Sequence, residues 1–154
     1  MLTTLYIENI AVIEKTSIDF SQGLNVLTGE TGAGKSIIID SINAIMGQRT
    51  SKELVRTGAK TALVTAQFDD VNDTVKAKLA ELGYNNEDDD TLILQRTISA
   101  TGKSSCKINA RPASVTVLKE VAKNLINIHG QHESYELFSP VSYRHLTLPT
   151  ICSV

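Results

Sequence analysis

The segment Gly29-Glu30-Thr31-Gly32-Ala33-Gly34-Lys35-Ser36 fills every fixed position of the pattern G-x-x-x-x-G-K-[ST]. Few patterns constrain a chain so tightly, because each fixed residue has a physical task. Glycines let the backbone take positive φ and approach an anion closely. Successive N–H groups then point inward as an anion-binding nest, and a helix starting near Lys35 adds its positive end. The Lys35 ammonium can reach the β- and γ-phosphates of a nucleotide, and the Ser36 hydroxyl can ligate a Mg²⁺ ion bridging them. The residues expected to contact nucleotide are therefore Gly29, Glu30, Thr31, Gly32, Ala33, Gly34, Lys35, Ser36 and the adjoining Ile37, with ATP and Mg²⁺ as ligands. Thr101-Gly102-Lys103-Ser104 repeats the Gly-Lys-Ser end of the pattern, but the first glycine would have to be residue 97, which is Thr97. That second segment is read as a turn.

The flanking sequence suits the motif. Residues 24–28 form an apolar run expected as a buried strand, and residues 35–46 carry Ile38, Ile42 and Ile45 at helical spacing, with Gly47 as a stop. Strands are expected at 2–7, within 10–20 (Ile18 and Phe20 sharing a face) and at 63–68. A helix is expected at 72–82, with Val75, Leu79 and Leu82 on one face and Gly83 behind it. Residues 92–98 and 106–109 read as a hairpin turning at Thr101-Gly102, and residues 85–90 as a solvated acidic loop. Pro112 is expected to open a helix whose apolar face is Val115, Leu118, Val121 and Ala122. A short apolar run at 125–128 follows. The fold class is α/β.

A chain of 154 residues can bury one core. Its net charge of −2 gives none of the basic surplus typical of a domain that grips duplex DNA by phosphates alone, so a nucleic-acid partner would need a small patch or parts outside this chain. Cys106 and Cys152 make neither a metal spacing nor a disulfide framework, and no apolar run approaches the roughly 20 residues that span a bilayer. A cytoplasmic location is expected.

A phosphate loop alone fits kinases, GTPases and many ATPases. No Asn-Lys-x-Asp segment for reading guanine is present. Asp69 or Asp70, after the strand at 63–68, could serve as the carboxylate that holds magnesium, but the strand's alternation suggests a half-exposed antiparallel position instead of a buried parallel one. His129, His132 and Glu133 have a weak metal-ligand spacing, against which stands the plainer reading of solvated loop histidines.

Four further stretches carry a family resemblance. They are Ile7-Glu8-Asn9-Ile10-Ala11-Val12-Ile13-Glu14, Gly23-Leu24-Asn25-Val26-Leu27-Thr28 leading into the phosphate loop, Ser105-Cys106-Lys107-Ile108-Asn109 with Arg111-Pro112, and Ile126-Asn127-Ile128-His129-Gly130-Gln131-His132-Glu133. Together they resemble the SMC-type ATPases, ABC-like heads attached to long coiled coils, and within them the RecN family of bacterial DNA repair proteins. The resemblance covers residues 1–139. It implies the N-terminal lobe of an ABC/SMC head with a mixed or antiparallel β portion, ATP hydrolysis, and a role in recombinational repair of double-strand breaks. It places Gln131 at the family's Q-loop, contacting Mg²⁺ and the attacking water, a task that suits a neutral side chain able to donate and accept. Arg56 falls where such heads carry an arginine near the phosphates.

The resemblance also implies missing parts. The signature segment, the catalytic carboxylate strand and the switch histidine follow the coiled coil in this family and do not occur here. The chain is thus expected to be an N-terminal half-head. Its partners would be ATP, the C-terminal half of the head, a second head in a homodimer and, through the full-length protein, DNA in the nucleoid. An exposed apolar face is expected where the other half packs. Residues 140–154 show no helical period where the family begins its helix toward the coiled coil, and are read as a non-family tail resembling translated adapter sequence. Two other readings stay open from the residues alone: a self-contained kinase or transferase with Asp70 on the metal, and a non-catalytic assembly module that holds ATP structurally.

Overall fold

The computed structural model describes residues 1–28, 33–85, 90–128 and 150–151. Six strands form one antiparallel sheet in the order β2-β1-β3-β4-β5-β6. They are β1 (Leu2–Ile10), β2 (Ile13–Asp19), β3 (Thr61–Phe68), β4 (Leu92–Ser99), β5 (Ser104–Ile108) and β6 (Arg111–Ala113). The helices are α1 (Ala33–Ile45), α2 (Asp73–Leu82) and α3 (Val115–Ala122). A separate short parallel pair joins β7 (Asn127–Ile128) to β8 (Thr150–Ile151).

Period-two patterning decides the sheet. Ala62, Val64, Ala66 and Phe68 of β3 are buried, with Leu92, Leu94 and Ile98 of β4 and Leu5 and Ile7 of β1 on the same side. Pairing is in register along the whole of β3 and β4, from Thr61 opposite Ser99 to Phe68 opposite Leu92. Helix α1 packs on β1, β3 and β4, and α3 packs on β5, so the core lies between this face and the helices. Burial of Leu118, Val121 and Ala122 confirms the expected inner face of α3.

Local chemistry closes each element. Asn72 caps α2 by accepting from the Val75 N–H at 2.9 Å, and Gly83 ends it at φ +76°. Gly102, at φ +85°, turns the β4–β5 hairpin, so the second Gly-Lys-Ser segment is a turn as expected. Pro112 departs from expectation. It lies in β6, paired with Lys107 across the sheet, and the helix starts three residues later at Val115, behind Ser114, whose Oγ accepts from the Val117 N–H at 3.2 Å. An edge strand tolerates a residue without an N–H, and a hydroxyl cap competes well for the helix start.

Residues 24–28 also depart from expectation. They form no strand, and Leu24 and Val26 are 80% and 68% exposed. A buried strand needs neighbours on its edges. The six-stranded sheet ends at β2 and β6, and no described strand pairs with this run.

Candidate nucleotide site

The phosphate motif ends in the first turn of α1. Gly34, Lys35, Ser36 and Ile37 are helical, while Gly29, Glu30, Thr31 and Gly32 lie outside the described residues. The helix that must follow a phosphate loop is therefore present, starting at Ala33. Ser36 is exposed, Lys35 half-buried and Ile37 buried. Beyond its own helical turn, no heavy atom of the described residues lies within 4 Å of the place a Cβ would take at Gly34. Ile37 fixes this first turn to the core, and the buried Ser41 hydroxyl donates to the Ile37 carbonyl at 2.7 Å.

The other end of α1 is held by contacts that its own sequence does not announce. Gly47, at φ +77°, donates to Ala44 O at 3.1 Å, and the Gln48 N–H donates to Asn43 O at 3.0 Å, a Schellman ending. A Cβ on Gly47 would stand 2.7 Å from Lys119 Cβ, so α1 and α3 touch through bare backbone there. Arg96, 3% exposed in the middle of β4, reaches up to the same end. Its Nη1 donates to Ala44 O at 2.8 Å and to Gln48 O at 2.7 Å, and its Nη2 donates to Thr50 Oγ1 at 3.3 Å and Ser104 Oγ at 3.5 Å. Its Nε has no partner among the described residues. Burial pushes the Arg96 pKa down from its ordinary value, with Cys106 acting to raise it, yet a guanidinium stays charged. The same burial pushes the Cys106 thiol up, with Arg96 pulling it back. A buried cation at a helix C-terminus complements the macrodipole whose positive end faces the phosphate loop. Arg96 sits on the buried phase of a strand reading Leu92, Leu94, Arg96, Ile98, and that misplaced charge is the signal by which a reader could have found it.

The connector after α1 is pinned at its far end too. The Ala11 N–H donates to Leu54 O and the Arg56 N–H to Asn9 O, both at 2.9 Å. The Arg56 guanidinium donates to Val12 O at 2.6 Å, on the β1–β2 turn. Asp69 and Asp70 do not serve as a magnesium carboxylate at the end of a parallel strand. β3 is antiparallel to both of its neighbours, and residues 24–28 are not among them. The Asp69 Oδ1 accepts from Thr91 Oγ1 at 3.0 Å and from Gln67 Nε2 at 3.3 Å. Burial acts to raise its pKa, but these donors, with Thr3 and the amino terminus, hold it below the usual value. Gln131, His129, His132 and Glu133 lie outside the described residues, as do residues 86–89 of the acidic loop and residues 140–149 and 152–154 of the tail.

Comparison with known proteins agrees with this arrangement. Residues 4–145 match the family described as AAA domain. The chain is 42% identical over 96% of its length to the DNA repair protein RecN of Halalkalibacterium halodurans, and 41% identical over 95% to that of Bacillus subtilis. It spans about a quarter of each relative's length, 26% and 25%. Among solved structures, an SMC ATPase described through its ATP-driven dimerization and DNA-stimulated activation superposes with a TM-score of 0.64 at 24% identity, over 80% of this chain and 78% of that one. That likeness shows the fold, an α/β P-loop ATPase head of SMC type with an antiparallel sheet. The self-contained kinase reading loses the strand arrangement it required. The chain belongs to the AAA domain family, and within it is similar to the RecN proteins.

Proposed function

We propose that this chain contributes one half of an ATP site in a RecN-like SMC-type ATPase acting in DNA double-strand break repair. The observation that carries the reading is the complete phosphate motif entering the first turn of α1, with Lys35 and Ser36 on that turn. In this reading Gly29, Glu30, Thr31, Gly32, Ala33 and Gly34 wrap the phosphates by backbone N–H groups, Lys35 neutralises the β- and γ-phosphates, and Ser36 holds Mg²⁺. Ile37 anchors the turn, and Gln131 reaches the metal and the attacking water. Mg²⁺, when bound, would neutralise charge on the phosphates.

The remaining chemistry comes from the C-terminal half of the head and from a second head in a homodimer, with DNA engaged by the assembled protein in the cytoplasm. No helix among the described residues is long and apolar enough to cross a membrane. The exposed Leu24 and Val26, on the strand-like run that leads into the motif, support a missing neighbour at this edge. Turnover tests the reading. The chain alone should show almost no ATP hydrolysis, and adding the C-terminal half of a RecN head should restore a Mg²⁺-dependent rate that Lys35→Ala abolishes. A steady rate from the chain alone, lost on Lys35→Ala, would overturn the half-site.

A further inference from the structure

The apolar residues of α1 leave one freedom loosely held. Ile37, Ile42, Ala44 and Ile45 are buried in the core, and burial of this kind is non-directional. It sets the height of α1 over the sheet, but it resists a slide along the helix axis less sharply than a hydrogen bond does. Helices at packed interfaces do shift by about 1–2 Å. A phosphate site tolerates such a slide poorly. Lys35 and Ser36 ride on the first turn, and a misplacement of about 1 Å can cost about a hundredfold.

The directional contacts come at the other end of the helix. The planar Arg96 fork donates to Ala44 O at 2.8 Å, in the last turn of α1, and to Gln48 O at 2.7 Å, just past it. Its second nitrogen reaches Thr50 Oγ1 and Ser104 Oγ, so the helix end, its connector and β5 meet on one guanidinium. The side chain rises from β4, which has β3 on one side and β5 on the other, so the anchor stands inside the sheet and not on its edge. The inner phase of β4 is otherwise Leu92, Leu94 and Ile98. Arg96 breaks that phase, leaves its Nε without a partner, and joins no ion pair among the described residues. A cation buried on these terms points to a task other than filling the core.

We infer that Arg96 is a positioning residue for the nucleotide site: by holding the last turn of α1, it sets where Lys35 and Ser36 meet the phosphates. The inference rests on the ATP reading above. The 13 residues of α1 span about 20 Å, so Arg96 acts on the phosphates through the helix and not by contact.

Calorimetric titration of ATP with Mg²⁺ into the full chain and its variants is the test. Arg96→Met should weaken ATP binding about ten- to a hundredfold. Arg96→Lys keeps the charge but serves one carbonyl in place of the fork, so it should recover only part of the affinity. Val75→Ala, on α2, removes buried volume and leaves every Arg96 acceptor in place. It should lower the urea midpoint and keep the ATP affinity within about twofold of the unaltered chain. Lys35→Ala tests the ATP reading itself. If the unaltered chain binds no ATP, or Lys35→Ala binds it equally well, that reading fails and the inference falls with it. If Lys35→Ala loses binding and Arg96→Met keeps it, the reading stands and the inference alone is overturned. Full recovery by Arg96→Lys, which would make charge and not placement the cause, also overturns it, as does an equal loss in Val75→Ala. Should Arg96→Met not fold, Thr50→Val/Ser104→Ala frees one arm of the fork and should weaken ATP binding about two- to tenfold. Unaltered affinity in both that variant and Arg96→Lys would then overturn the inference.

Discussion

Arg96 ties the phosphate-loop helix to the sheet, and its environment sets what a substitution there should do. Arg96→Met leaves the Ala44 and Gln48 carbonyls without their charged donor, and hydrogen bonds to charged groups contribute about 1.5–3 kcal/mol each, so a loss of about 3 kcal/mol is expected in urea unfolding. Arg96→Lys should recover part of it, since an ammonium can serve one carbonyl but not the fork. Gly47 offers a sharper comparison. At Gly47→Ala the new methyl would meet both positive φ and the Lys119 backbone, whereas Gly102→Ala meets positive φ in open space. The first should cost about 2–4 kcal/mol and the second about 1 kcal/mol, because overpacking adds to the backbone term only at Gly47. Asp69 predicts an acid dependence. Its folded pKa is depressed, so its contribution is present above the unfolded value near 3.8 and is lost as pH falls through the lower folded value. Asp69→Asn should flatten the fall of thermal stability on the acid side and leave the alkaline side unchanged.

Elements with one wet face were legible, and those whose partners lie elsewhere were not. β3 and β4 alternate cleanly because half-buried antiparallel strands must, and α2 announces itself through Asn72 and Gly83. The run at 24–28 misled for a physical reason. Its apolar residues imply burial, and sequence carries no record of which chain segment supplies the cover. That gives a direct prediction: Leu24→Ser/Val26→Thr should change the stability of this chain by less than about 0.5 kcal/mol, as for any surface site. A loss of 2 kcal/mol or more in the same unfolding measurement would mean that the run is packed. The start of α3 was placed three residues too early, at Pro112, because a proline at a helix start and a proline on an edge strand present the same local signal. The helix that opens at the end of the phosphate motif was legible, since the motif and the apolar period behind it are written in consecutive residues. Arg96 was not, because its role depends on the packing of a strand against a helix about 50 positions earlier in the chain.

On the scale of the molecule, one sheet face carries the helices, and α1 connects three regions. Its first turn holds Lys35 and Ser36, its last turn is gripped by Arg96 and Gly47, and its connector is pinned to the β1–β2 turn through Leu54 and Arg56. Among the described residues the helices that pack on the sheet lie on one face, and the run at 24–28 has no strand neighbour, which suits the half-head proposed above. The whole account depends on nucleotide entering at the start of α1. Calorimetric titration of ATP with Mg²⁺ into the chain and into Lys35→Ala is the direct test. Saturable binding by the unaltered chain, weakened at least about tenfold by Lys35→Ala with its melting curve unchanged, is the predicted result. Equal ATP affinity in the two proteins would contradict it.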